Sequence, residues 1–169
     1  VINCIDVRNW DDIAIENAGG TYFSVTNAVI TKPKDAACRF VAVFNNKGYR
    51  SNLNTLFDHC KFEGNAKMQL NGPTPEMPVV LRNSELQVAG RIETRNALIH
   101  DCSIQTSSPI QSLEGGVLQL ENSTIVFKSG NGRIDAIRSK VLVENCDIKS
   151  LSNRQSLSAV QAEIVIANS

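Results

Sequence analysis

Leu120-Glu121-Asn122-Ser123-Thr124-Ile125 is followed 23 residues later by Val143-Glu144-Asn145-Cys146-Asp147-Ile148. Both read apolar–x–Asn–small–x–apolar. The pattern also stands at Val25-Thr26-Asn27-Ala28-Val29-Ile30 and Leu81-Arg82-Asn83-Ser84-Glu85-Leu86. His59 and Asp101 replace the Asn in Phe57-Asp58-His59-Cys60-Lys61-Phe62 and Ile99-His100-Asp101-Cys102-Ser103-Ile104. Ile166-Ala167-Asn168-Ser169 is a shortened copy, and Asn3-Cys4 reads as an imperfect first one. Starting from Asn27, the intervals are 32, 24, 18, 21, 23 and 23 residues.

A period of about 22 is too short for two helices and suits one coil of a β-solenoid or a leucine-rich repeat. The Leu-x-x-Leu-x-Leu-x-x-Asn signature of the latter is missing. Short alternating strands such as Val117-Leu118-Gln119-Leu120 and Val141-Leu142-Val143 flank the motif, and no amphipathic helix is evident. The expected fold is therefore all-β: a parallel β-helix of about seven coils of roughly 22 residues, with about three strands per coil. An antiparallel sandwich also uses many short strands, but its turns do not recur at one fixed point per period. Asn tolerates the left-handed conformation that a tight turn between strands needs. Stacked coils lie about 4.8 Å apart, so its amide is placed to form a ladder with its neighbours.

Aligning a second strand on the Asn position places Ile15, Ile92, Leu113, Ile137 and Val160 as inward residues. The next row is then Glu16, Glu93, Glu114, Arg138 and Gln161. In that register Glu93 and Glu114 stand one rung apart, a separation of about 5 Å, as in retaining glycosidases. Mutual repulsion would raise one pKa and suit it to general-acid work. Arg91, Arg95 and Arg138 are placed to hold an acidic sugar or to soften that repulsion. The competing reading is a solvated ladder in which Glu114 pairs with Arg138. A second candidate is Asn9-Trp10-Asp11-Asp12-Ile13-Ala14-Ile15, where Asp12 supplies a carboxylate and Trp10 a stacking surface. Two coils carry Pro- and Gly-rich excursions, Phe44–Asn52 and Asn71–Pro78, which read as loops. Tyr49 and Arg50 are the ligand-contact candidates on the first.

The chain has 169 residues, with 17 Lys and Arg against 17 Asp and Glu. Zero net charge argues against nucleic acid or an anionic membrane surface as partner. No apolar run reaches the roughly 18 residues of a membrane span. The five cysteines, Cys4, Cys38, Cys60, Cys102 and Cys146, show no CxxC spacing. Three share one motif position with Ser and Ala, which suits small, buried, free thiols and synthesis in a reducing compartment. His59 and His100 have no metal-ligand spacing, and His59 reads as a turn residue. Residues 1–169 read as one β-helix domain cut from a longer chain.

The Glu144-Asn145-Cys146-Asp147-Ile148 and Glu121-Asn122-Ser123-Thr124-Ile125 coils resemble the right-handed parallel β-helix superfamily of pectate lyases, polygalacturonases and bacteriophage tailspikes. The resemblance covers nearly the whole chain and concerns the coils. Asp11-Asp12-Ile13-Ala14-Ile15 is similar to the paired-acid strand of polygalacturonases, but the Gly-His-Gly and Arg-x-Lys segments of that family are absent. The resemblance implies right-handed coils and a polysaccharide partner. It implies glycosidase or lyase chemistry if the chain is an enzyme, with Ca2+ in the lyase case. It also implies a homotrimer or stacking on the rest of a parent chain, at a virion or extracellular surface. The alternatives are a structural rod or adhesin stalk and a protein-binding repeat module.

Overall fold

A side chain in the left-handed region brings its Cβ against a carbonyl, at a cost of roughly 1–2 kcal/mol, and Asn or Asp relieves it by bonding locally. In the computed structural model the repeating Asn position adopts that conformation in every coil where it is described. Its φ is 53° at Asn27, 48° at Asn83, 47° at Asn122, 52° at Asn145 and 52° at Asn168, with His59 at 53° and Asp101 at 51°. The structure describes residues 2–3, 6–8, 22–31, 54–64, 67–151 and 157–169.

Each turn ends a strand of one sheet and starts a strand of the next. The first sheet has eight strands: Ile2–Asn3, Tyr22–Thr26, Asn54–Asp58, Val79–Arg82, Ala97–His100, Val117–Glu121, Lys140–Glu144 and Glu163–Ala167. The second has seven: Asp6–Arg8, Val29–Thr31, Lys61–Gly64, Glu85–Val88, Ser103–Thr106, Thr124–Phe127 and Asp147–Ser150. The third precedes the first in each coil and has five: Met68–Asn71, Ile92–Arg95, Ile110–Ser112, Ile134–Ile137 and Leu157–Val160. Neighbouring strands pair in parallel and in register, as in Ile99 opposite Leu120 and Leu120 opposite Val143. The expected parallel β-solenoid is what forms. Among the described residues the five third-sheet strands mark about five turns, where seven coils were expected.

The core follows from register. Leu81, Ile99, Leu120 and Val143 stack inside the first sheet, and Leu86, Ile104 and Ile125 inside the second, all essentially without solvent exposure. Burying each such side chain contributes about 1.5–3 kcal/mol. Phe57 and Phe62 meet edge to face, with ring centroids 5.8 Å apart. Phe127 leaves no room beside it: a Cβ on Gly132 would lie 2.7 Å from its ring.

The small residue after each turn carries the contact between coils. The backbone N–H of Cys60 donates to Ser84 Oγ, that of Cys102 to Ser123 Oγ and that of Cys146 to Ser169 Oγ, each at 3.0 Å. Ser84 and Ser123 in turn donate to the carbonyls of Arg82 and Glu121 at 2.6 and 2.7 Å. The Cys102 thiol donates to the His100 carbonyl at 3.2 Å. Cys60, Cys102 and Cys146 are free and buried, as their shared motif position implies. Burial pushes the Cys102 thiol up to about 11. Cys4 and Cys38 lie outside the described residues. The turn Asn residues are exposed, and Asn83 reaches the neighbouring coil by donating to Asp58 Oδ1 at 3.0 Å, a carboxylate and not another turn amide.

Two alignments are corrected. Asn3 pairs with Thr26, one residue before the turn position of Asn27. In the third sheet Ile92 stands opposite Ile110, and Ile110 opposite Ile134, so Leu113 is not an inward strand residue. Ile137 and Val160 do pair, but at the outward strand end, where Val160 is 55 % exposed. The reason is the second turn of each coil, which is Asn96 alone in one coil and the longer Leu113–Gly116 in the next. A constant offset from the Asn motif therefore slips by three residues. That second turn has its own left-handed ladder, with φ of 56° at Asn96, 71° at Gly115, 45° at Arg138 and 50° at Gln161.

Asn122→Ala is expected to lower unfolding free energy by about 1 kcal/mol, with Asn122→Gly costing less because Gly enters the left-handed region freely. Urea titrations check this; equal losses from both variants contradict the role assigned to the turn.

Candidate functional site

Alternation along the third sheet sends Met68, Leu70, Ile92, Ile110, Ile134 and Ala136 inward, each fully buried. The residues between them face outward. Register therefore aligns Gln69, Glu93, Gln111, Asp135 and Ser158 in one row across five strands. At about 4.8 Å per rung the row is roughly 19 Å long.

The row is outward-facing yet shielded: the side chains of Glu93 and Asp135 are only 10 % and 9 % exposed. Lys67, Arg91 and Arg133, each two residues before a row member, fold over it. Lys67 Nζ lies 2.7 Å from Glu93 Oε2 and Arg91 Nη1 lies 3.5 Å from Glu93 Oε1. Gln69 Nε2 donates to Glu93 Oε2 at 2.8 Å. Arg91 Nη1 also donates to Gln111 Oε1 at 3.3 Å, and Arg133 Nε donates to Asp135 Oδ1 at 2.6 Å. Partial burial pushes the Glu93 carboxyl up, but the bonds from Lys67 and Gln69 and the charges of Lys67 and Arg91 outweigh it. The net effect holds Glu93 below its ordinary value.

Glu93 and Glu114 are not brought together. The rung neighbours of Glu93 are Gln69 and Gln111, while Glu114 sits in the turn after its strand. Glu114 Oε1 accepts from Arg138 Nη1 at 3.3 Å, and Arg138 Nε donates to Gln161 Oε1 at 3.1 Å. The solvated pairing of Glu114 with Arg138 is thus the geometry present, and all three side chains are exposed. Glu93 is held ionised by two cations, the opposite of the raised pKa expected for a general acid. Arg91 does reach the row, and Arg95 ends the same strand, opposite Asn71. Trp10, Asp11, Asp12, Tyr49 and Arg50 lie outside the described residues. Of the excursion at 71–78, Asn71 ends a third-sheet strand and the remainder is a loop containing a Thr74–Met77 bridge.

Sequence reading missed Gln69, Gln111, Asp135, Lys67 and Arg133. Their signal was a short apolar–polar–small triplet, as in Ile92-Glu93-Thr94, Ile110-Gln111-Ser112 and Ile134-Asp135-Ala136. Among the described residues no three His, Cys, Asp or Glu side chains group closely enough to hold a metal ion. The row can instead present amides and carboxylates of fixed orientation to a ligand laid across the rungs.

A second buried carboxylate lies at a strand end in the first sheet. Asp58 accepts from Arg82 Nη2 at 2.8 Å and from Asn83 Nδ2 at 3.0 Å, and His59 Nδ1 is 2.9 Å away. The Arg82 bond holds it below the usual carboxylate range, against the opposing pull of burial. Its neighbours consume its acceptors, which makes it a fastener of the turn.

A carboxyl whose folded pKa is depressed contributes stability above its unfolded pKa and loses it as the pH falls through the folded value. Both Glu93 and Asp58 have this sign. Glu93→Gln is expected to flatten the fall in stability below about pH 4. Denaturation midpoints across acidic pH check this, and an unchanged slope contradicts it.

No family model matches the chain, and neither the curated proteins nor the solved structures include a significant match.

Proposed function

We propose that this solenoid is a carbohydrate-interacting module whose binding surface is the outward face of the third sheet. One observation carries the reading: the row Gln69–Glu93–Gln111–Asp135–Ser158 repeats hydrogen-bonding side chains at rung spacing, and neighbouring cations hold its carboxylates in place. Sugar hydroxyls need planar acceptors and donors in fixed positions, and oriented polar groups at a surface are what give a site its specificity. A regular row suits an extended polymer better than a compact ligand.

In this reading the row binds and does not cut. Hydrolysis by paired carboxylates needs one protonated acid, and Glu93 is held in its ionised form. The rung neighbours of Glu93 are amides, so no second carboxylate faces it at the spacing of a retaining pair.

Solvated ion pairs such as Lys61 with Glu63 and Lys140 with Glu163, on the other two sheets, favour a second reading, a structural rod. Gel retardation against a panel of polysaccharides separates the two. The binding reading expects retardation by at least one polymer, lost in a Gln69→Ala/Gln111→Ala variant that keeps its thermal transition, with no new reducing ends. Retardation by none supports the rod. Cleavage that Glu93→Gln abolishes restores a catalytic role for that residue.

A further inference from the structure

Resting on the carbohydrate reading, we infer that the ligand of this face is a neutral, hydroxyl-rich glycan and that Gln111 with Asp135 is the pair that selects it. The two residues are register partners on adjacent rungs. Arg91 Nη1 donates to Gln111 Oε1, and arginine has no acceptor, so this contact fixes which way the amide faces. Its Nε2 has no hydrogen-bond partner among the described residues. Asp135 is engaged through Oδ1 by Arg133, and its Oδ2 has no hydrogen-bond partner among the described residues. A donor and an acceptor therefore stand side by side, one rung apart. A hydroxyl complements both, because it accepts from an amide and donates to a carboxylate. A ligand carboxylate only accepts and meets repulsion from Asp135.

The three cations along the row are already engaged by its two carboxylates. Lys67 and Arg91 both lie against Glu93, and Arg133 lies against Asp135. An anionic polymer laid here would have to compete with carboxylates that are already seated and shielded. Arg95 differs: it is exposed, lies at the end of its strand beyond the row, and has no ion pair among the described residues. It is the natural receiver of an acidic sugar if the selection operates the other way.

The test compares neutral polysaccharides with uronate-containing ones by titration calorimetry at low and high salt. The inference expects binding to a neutral polymer that is nearly insensitive to salt. Asp135→Asn, which keeps shape, is expected to weaken it roughly tenfold or more, since a bond to a charged acceptor is lost. Preference for the uronate polymer, weakened by salt and by Arg95→Ala and strengthened by Asp135→Asn, overturns the inference while leaving the carbohydrate reading intact. Binding to neither class overturns the carbohydrate reading itself.

Discussion

The backbone N–H that follows each left-handed turn residue points at the next coil, away from water, and needs an acceptor there. Cys60, Cys102 and Cys146 find it in the hydroxyls of Ser84, Ser123 and Ser169. Thiols make the contact on the alternate rungs, where Cys60 Sγ donates to the Val25 carbonyl and Cys102 Sγ to the Leu81 carbonyl, each at 3.5 Å. Cys and Ser thus alternate along one continuous ladder. An alanine in place of Ser84 or Ser123 would leave a buried donor unpaired. No two cysteines are rung neighbours in this stretch, so the ladder keeps its thiols apart as well as buried.

Everything outward depends on this registration. Because coils stack in phase, side chains separated by 18 to 24 residues, such as Glu93, Gln111 and Asp135, become neighbours in a row. A slip of one residue would turn the row into the core and the core into solvent. The fixed spacing of the polar face is therefore a consequence of the turn, not of the face itself. Lys67, Arg91 and Arg133 then neutralise the two carboxylates in place, which allows acidic side chains to sit shielded on an open sheet.

The solenoid was legible because its turn chemistry repeats. Only a few residue types accept the left-handed conformation, so Asn27, Asn83, Asn122 and Asn145 appear in the sequence as a visible beat. The third sheet was not legible in register. Its connection to the first sheet varies in length, and the left-handed positions there are Asn96, Gly115, Arg138 and Gln161, which share no side-chain character. Arg138 and Gln161 hold that conformation through context alone, bonded to each other at 3.1 Å. The predicted Glu93–Glu114 pair failed for this reason. Glu114 fell in line with Glu93 only when the variable turn was counted as strand. Arg91 lies beside Glu93 because it directly precedes the same strand, with no turn between them.

The most direct test of the ladder is the unfolding free energy of Ser123→Ala, measured by chemical denaturation. This substitution removes the acceptor of the Cys102 N–H without touching an apolar contact of the core. An unpaired buried donor costs about 1–3 kcal/mol, so a loss in that range is expected. A variant as stable as the parent chain would contradict the claim that this bond registers the coils.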